Sequence, residues 1–224
     1  MQLAALALAG LAAGGIHVLS GPDHLAAVTP LSMSVRKGAT KIGLLWGLGH
    51  AAGLAVIGFA VFSFREYFDL DVISVWSERA VGLMLIAVGI WGLRKAFSKW
   101  FHTHEHRHGP NTHTHIHCHH PNQHSVDKAH NHSHATLAIG LLHGVAGTTH
   151  LFGLLPALAL PNTQAAVCYL CGYGLGNFLA MGGFACLVGS SSNRLRRWGP
   201  RPFEIAMSTC SVIPIAVGCV WLAP

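Results

Sequence analysis

Long apolar runs separated by short polar connections dominate this chain. The runs of membrane-spanning length lie at about residues 3–34, 42–63, 79–97, 135–160, 164–190 and 204–223. A helix needs about 20 predominantly apolar residues to cross a bilayer. The pattern therefore predicts an all-α integral membrane protein with six transmembrane helices.

The first apolar run is too long for one straight span, and Gly21-Pro22 interrupts it. Proline removes a helical hydrogen bond and clashes with the preceding turn. We expect a helix to about Ser20, a break, and a second helical piece through Ser34. Residues 3–16 have the apolar character of a signal-peptide core, but no basic residues precede them and the apolar run continues. We interpret them as a retained first span.

Composition and charge support a membrane location. The chain is 51% hydrophobic and 10% charged, whereas soluble domains carry about 25% charged residues. The net charge of +6 comes from basic residues in the short connections and does not indicate nucleic-acid binding. With six spans, the first, third and fifth connections share one side and carry twelve of the fourteen Lys and Arg residues. That side is predicted to be cytoplasmic, with both termini outside.

Residues 99–134 form a histidine-rich connection with thirteen of the eighteen histidines. Its low apolar content predicts a largely disordered cytoplasmic loop. Alternating histidines offer many exchangeable ligand sets, so we predict capture of divalent metal there, with a metal donor protein as a candidate partner. The predicted capture residues are His102, His104, His106, His108, His113, His115, His117, His119 and His120.

The segments on either side, residues 1–98 and 135–224, resemble each other. Each has two histidines seven residues apart, followed by an aromatic residue, Gly-Leu-Gly and a polar residue. These are His17, His24 and Trp46-Gly-Leu-Gly-His50 in the first half, and His143, His150 and Tyr173-Gly-Leu-Gly-Asn177 in the second. Each half holds three spans, and because this number is odd, the second half enters the membrane from the opposite side. The pattern therefore predicts inverted three-helix repeats with broken first and fourth helices.

Polar side chains inside apolar runs mark candidate functional sites. We predict a metal site at His17, Asp23, His24 and His50, because imidazole suits late transition metals and a carboxylate offsets the charge of a dication. An intact helix would hold His17 and His24 about 10 Å apart, so the Gly-Pro break is needed to bring them to one ion. The alternatives are a helix N-cap for Asp23 and a structural cross-helix histidine for His50.

The second half carries a weaker ligand set, because two threonines replace the Pro-Asp pair. We predict that its polar residues line the ion pathway: His143, Thr148, Thr149, His150 and Asn177. The structural cross-helix alternative applies to its two histidines as well.

The residues His17, Asp23 and His24, within Gly21-Pro-Asp-His-Leu-Ala-Ala27, resemble the signature of the nickel/cobalt transporter superfamily, which comprises nickel–cobalt permeases and efflux proteins. Permeases of this group carry His-x4-Asp-His in an early transmembrane helix, whereas five residues separate His17 from Asp23 here. The long histidine-rich loop is similar to the efflux branch. The resemblance implies Ni²⁺ or Co²⁺ as the substrate, with efflux favoured over uptake, and these three residues as the counterpart of the motif.

Together these features predict a multi-pass transporter, not an enzyme, in a plasma, inner or organelle membrane. It moves Ni²⁺ or Co²⁺, with Zn²⁺ second, by alternating access, and has no permanent cofactor. The alternatives are a zinc transporter and a non-transporting membrane accessory protein for metalloenzyme maturation. An intramembrane zinc hydrolase is disfavoured because no glutamate adjoins a histidine pair in an apolar run. An anion exporter is disfavoured because no Arg or Lys lies at depth.

Overall fold

The computed structural model describes residues 2–64, 70–97, 102–108, 111–117, 132–146, 153 and 155–223. The elements in chain order are α1 Gln2–Ser20, α2 Pro22–Met33, α3 Ala39–Phe64, α4 Leu70–Phe97, β1 His102–His108, β2 Asn111–His117, α5 His132–Val145, α6 Leu155–Leu158, α7 Thr163–Trp198 and α8 Pro200–Leu222.

Five helices in this part of the chain are long and apolar enough to cross a membrane, which is typical of a helical membrane protein. They are α1, Ala39–Ala60 of α3, Val75–Phe97 of α4, α7 and α8. The remaining predicted span begins with α5, whose fourteen residues give about 21 Å of helix. The predicted break in this span falls at residues 147–152, which lie outside the described residues.

The predicted break in the first apolar run is confirmed. α1 ends at Ser20, and Pro22 is the first residue of α2, where a proline sacrifices no helical hydrogen bond. Gly21 between them is extended, with φ −82° and ψ 108°, as expected before a proline. A side chain at Gly21 would clash with the imidazole of His24 and lie 2.9 Å from Asp23 Oδ1. The turn therefore requires glycine.

Glycine contacts bring α1 and α7 together in parallel. A Cβ added at Gly172 would clash with the carbonyl oxygen of Ala7, and one at Gly176 with that of Leu11. The second contact is one turn further along both helices, so the two helices run in the same direction. Small residues allow this close approach of two backbones.

The α3–α5 pair is also parallel. A Cβ added at Gly49 would clash with the carbonyl of Leu137, and one at Gly53 with the carbonyl of Leu141. Two other pairs run antiparallel: α3 with α7, and α4 with α8. Their close contacts are Gly43 with Met181 and Gly47 with Phe178, then Gly82 with Gly218 and Gly89 with Ser211.

Helix α7 has 36 residues and is about 54 Å long, so it exceeds the thickness of a bilayer. Its last turns contact the end of α2. Ser192 Oγ and Arg196 donate hydrogen bonds to the carbonyl of Met33 at 3.2 and 2.7 Å. The guanidinium of Arg196 also lies 3.6 Å from the ring centroid of Phe203. The basic end of α7 is thereby fixed to the carboxyl end of α2.

The histidine-rich segment contains an antiparallel pair of strands, where the sequence predicts disorder. β1 pairs with β2 so that His102 lies opposite His117 and His104 opposite His115. Composition alone predicts disorder, but residues alternate with period two in both strands and a Gly-Pro dipeptide separates them. Both features are hairpin signals. The two strands have seven residues each, and disorder of residues 99–134 stays a prediction.

The α1–α7 contact predicts opposite effects for two adjacent glycines. A methyl at Gly14 would clash with the carbonyl of Tyr173, whereas one at Gly15 meets nothing within 4 Å. Gly15→Ala should maintain or raise stability, since Ala favours helix by about 1 kcal/mol over Gly. Gly14→Ala should lower it by about 1–3 kcal/mol. Thermal unfolding of both variants in detergent measures the difference, and equal midpoints would contradict the close helix approach.

Candidate metal centre

The helix break brings the first two predicted ligands together. His17 lies in the last turn of α1 and His24 in the first turn of α2. Their ring centroids are 5.0 Å apart, whereas an intact helix would separate the two residues by about 10 Å. The expectation that the Gly-Pro break brings them together is therefore confirmed.

Helix α3 adds a third histidine to this pair. One nitrogen from each of His17, His24 and His50 lies within 4.8 Å of the other two. The rings of His24 and His50 are 4.9 Å apart, and both residues are almost fully buried, with 1% and 0% exposure. His17 is half-buried. Three histidines with open positions for water or substrate form a recurrent ligand set for exchangeable transition-metal chemistry.

Asp23 lies behind the three histidines as a hydrogen-bond acceptor. His24 Nδ1 donates to its carboxylate at 2.8 Å, and His143 Nε2 donates at 3.0 Å. An ionised carboxylate only accepts, so both imidazoles carry their proton on the nitrogen that faces it. With Nδ1 protonated, the lone pair of His24 lies on Nε2, the arrangement found in the carboxylate–histidine pairs that orient metal ligands.

The N-cap alternative for Asp23 is not supported. Gly21 occupies the cap position of α2, and no side-chain cap hydrogen bond forms there. Asp23 does lie in the first helical turn, where the helix dipole favours a negative charge. Its two bonds to histidines account for both carboxylate oxygens.

His143 belongs to the centre and not only to a pathway leading away from it. It is fully buried on α5, and its ring lies 4.6 Å from that of His24 and 5.7 Å from that of His50. With Asp23 and His24 it forms a second group of mutually close metal-binding atoms. The cluster thus combines side chains from residues 1–98 and from residues 135–224.

Trp46 is a site residue that the sequence interpretation missed. Its indole is fully buried and stacks on His50 at 5.0 Å, and it lies 5.5 Å from His24 and 5.2 Å from His143. It therefore forms an apolar wall beside three of the histidines. Its position four residues before His50 on one helical face is the signal that could have identified it.

Asn177 and Tyr173 lie on the α7 side of the cluster. Asn177 is fully buried, and neither its Oδ1 nor its Nδ2 has a hydrogen-bond partner in the described part of the chain. Its Oδ1 lies 3.1 Å from the Cβ position of Gly14. Tyr173, one turn earlier, has its ring 5.8 Å from that of His17.

The cluster carries one negative charge when its imidazoles are neutral, because Asp23 is the one carboxylate in either described ligand group. A lone buried charge is costly, and the two histidine N–H groups offset part of that cost. A bound dication would leave the cluster with a net charge of +1. The free-energy cost of placing a dication at membrane depth is therefore lower inside this cluster than for the bare ion.

Several predicted residues lie outside the described residues: Thr148, Thr149, His150, His119 and His120. The other predicted capture histidines are at backbone positions on the two strands. The strand register places His106 opposite His113 and His108 opposite Asn111. Metal capture by this segment remains a prediction.

The chain is similar to two chloroplast proteins of Arabidopsis thaliana. It is 34% identical over 210 residues to chloroplast protein FOR GROWTH AND FERTILITY 2, covering 93% of this chain and 54% of that protein. It is 33% identical over 210 residues to FOR GROWTH AND FERTILITY 1, covering 93% and 56%. The chain thus spans about half the length of these curated relatives. No family model matches, and no solved structure matches significantly.

These relatives overturn the assignment to the nickel/cobalt transporter superfamily. They are named as chloroplast proteins for growth and fertility and not as nickel or cobalt permeases, so that assignment is wrong. The resemblance depended on three polar residues with an altered spacing. A motif this short can reflect what any buried histidine site needs, namely a helix break with a carboxylate beside an imidazole.

Proposed function

We propose that the protein binds a late first-row divalent transition-metal ion within the membrane and carries it across. The observation that supports this most strongly is the buried cluster of His17, His24 and His50, with nitrogen atoms within 4.8 Å of one another. Ionisable residues at membrane depth are costly and mark ion pathways. Imidazole is a ligand that suits nickel, cobalt and zinc, and the ion is the cargo rather than a resident cofactor.

In this proposal three imidazoles hold the ion, and Asp23 orients His24 and offsets the charge. Three protein ligands leave coordination positions for water, as expected of a site that must also release its ion. His143 donates to the same carboxylate from the other half of the chain. Relative motion of the two halves would break or form the hydrogen bond between His143 and Asp23. The conformation of the protein would thereby change how well the charge of Asp23 is compensated.

We propose further that the chain forms six spans arranged as inverted repeats. Two close contacts of the first half recur at equivalent positions of the second half. In the first match, Gly14 contacts the Tyr173 carbonyl, and its counterpart Gly140 contacts the Trp46 carbonyl. In the second match, Gly49 contacts the Leu137 carbonyl, and its counterpart Gly176 contacts the Leu11 carbonyl. In each match the partners hold equivalent positions relative to the histidine pairs and the Gly-Leu-Gly motifs.

The helix directions support the same arrangement. If α5 and the residues after it form the fourth span, six successive crossings make α1 parallel to α7, and α3 parallel to α5. They also make α3 antiparallel to α7, and α4 antiparallel to α8. All four relations are those given by the glycine contacts. Counterpart helices then run in opposite directions, which is the construction of many alternating-access transporters.

A cavity of about 270 Å³ supports access from the side of the basic connections. It lies among the ends of α2, α3, α4 and α5 on that side and includes Ser34, Ile42, Met84, Trp91, Thr136 and Ile139 in its lining. Ile139 is one helical turn before His143. The cavity therefore approaches the histidine cluster from the side on which we propose that the histidine-rich segment lies.

A non-transporting metal-binding accessory protein is the second candidate function. The nearly complete burial of His24, His50 and His143 favours it, because a closed site retains its ion. The two functions differ in a single measurement, which is the movement of ions through purified protein in a sealed membrane.

The transport proposal predicts Co²⁺, Ni²⁺ or Zn²⁺ flux into proteoliposomes, followed with a trapped metal indicator. His24→Ala should reduce the flux to that of empty vesicles, because it removes a ligand shared by both described ligand groups. His134→Ala, an exposed histidine of α5, should leave it unchanged. Wild-type protein that binds these ions but moves none would overturn transport and favour the accessory function.

The role given to Asp23 predicts that Asp23→Asn weakens Co²⁺ binding by about 10–100-fold. An amide cannot accept from both histidines through two equivalent oxygens, and it removes the negative charge. Quenching of the Trp46 fluorescence by Co²⁺ reports on the site, and Trp46→Phe identifies the signal. Glu204→Gln removes a carboxylate at the start of α8 and should leave the affinity unchanged. An unaltered affinity in Asp23→Asn would exclude this role.

Six spans predict the side on which three exposed positions are labelled. In a cysteine-free background, Thr40→Cys and Ser191→Cys should react with an impermeant thiol reagent from one side of sealed vesicles. Pro161→Cys should react from the other side, because an odd number of crossings separates it from both. All three residues are exposed and uncharged, so the charge pattern is preserved. Labelling of all three from one side would contradict the arrangement.

A further inference from the structure

We propose that Asn177 and His17 form a second, weaker position for the ion, beside the first position at His17, His24 and His50. This inference rests on the proposed function and adds a release step to it. It assigns to Asn177 a direct bond to the ion or to its water, and it makes His17 the ligand common to both positions.

The first supporting observation is the buried amide of Asn177. The residue is fully buried, and both of its polar side-chain atoms are without a hydrogen-bond partner in the described part of the chain. A buried polar group without a hydrogen-bond partner lowers the stability of the folded state. An amide that can donate and accept at membrane depth is therefore suited to a hydrated ion that occupies the space transiently.

The second observation is the space around this amide. Asn177 Oδ1 lies 3.1 Å from the Cβ position of Gly14 on α1. On the α3 side, a Cβ at Gly47 would lie 3.3 Å from the backbone carbonyl of Asn177. Glycine at position 14 is therefore the residue of α1 that packs directly against the amide oxygen, and glycine at position 47 packs against the backbone of the same residue. A larger side chain at position 14 would reach the amide oxygen and compete with an ion or a water molecule for it.

The third observation is the repetition of the aromatic–histidine pair. Trp46 lies 5.2 Å from His143, and its counterpart Tyr173 lies 5.8 Å from His17. The residue that follows each aromatic by four positions is His50 in the first half and Asn177 in the second.

His50 lies 5.7 Å from His143. The same symmetry assigns Asn177 to the corresponding relation with His17, on the α7 side of the cluster. The first position therefore offers three imidazoles, whereas the second offers the imidazole of His17 and the amide of Asn177.

The difference between the two ligand sets gives the positions unequal affinity. An amide oxygen is a harder and weaker ligand for late divalent ions than an imidazole nitrogen. An ion that leaves His24 and His50 while it stays on His17 would exchange two imidazoles for an amide and water. The second position would then hold the ion less tightly, which favours release. No covalent or redox chemistry takes part in the exchange.

Three variants test the second position in the full-length protein. Asn177→Leu should lower Co²⁺ flux in proteoliposomes at least tenfold while the Co²⁺ concentration for half-maximal Trp46 quenching stays within twofold of wild type. Asn177→His should bind Co²⁺ at least tenfold more tightly than wild type in equilibrium dialysis, with the same number of ions per chain because His17 serves both positions, and should slow the flux. Ser211→Ala removes an equally buried polar group that is bonded within its own helix, and it should alter neither quantity.

The outcomes separate this inference from the proposed function. If wild type transports Co²⁺ and Asn177→Leu transports within twofold of it, the second position is wrong and transport stands. If wild type transports none but Asn177→His still binds Co²⁺ at least tenfold more tightly, the second position stands and transport is wrong. If Asn177→His is folded by thermal unfolding and its affinity for Co²⁺ is within twofold of wild type, the inference is overturned.

Discussion

The arrangement of the buried histidines depends on one carboxylate, that of Asp23. Asp23 accepts hydrogen bonds from His24, its neighbour in the chain, and from His143, which lies 120 positions further along the chain. The two bonds offset the cost of burying its charge and set which nitrogen of each imidazole carries the proton. This arrangement needs a helix that starts beside the carboxylate, which the Gly21–Pro22 break supplies. It also needs α5 against α3, which the glycines of both helices permit. The environment of Asp23 thus depends both on a local backbone feature and on packing between helices that are distant in the chain.

The sequence predicted the features that depend on local physics. The break before Pro22 follows from proline chemistry, and the approach of His17 to His24 follows from the break. His143 could not be placed from the sequence, because its position depends on a parallel contact between helices that lie far apart in the chain. Trp46 could have been found, since helical spacing places it on the same face as His50. The superfamily assignment failed because its motif is too short to identify ancestry.

In the proposed inverted repeat, the two halves of the chain share a backbone arrangement but carry different polar side chains. Glycine–carbonyl contacts recur at equivalent positions, whereas histidine in the first half is replaced by asparagine in the second at one of them. A symmetric backbone with identical side chains would give two positions of equal affinity and no preferred direction of exchange. Divergence of a few polar residues on a common frame supplies that difference. The physical constraint on such divergence is strict, since every polar group left in the bilayer needs a partner or a ligand.

The length of α7 has a consequence for how the centre can change. One continuous helix carries Tyr173 and Asn177 beside the histidines and, several turns later, Ser192 and Arg196 at the carboxyl end of α2. α2 itself begins with the carboxylate. A tilt of α7 would therefore displace the carboxyl end of α2 through the contact at Met33, and with it the short helix that carries Asp23. A change in the conformation of the histidine cluster should then also change the position of the exposed end of α7. A molecule that binds this end could in turn alter the conformation of the cluster.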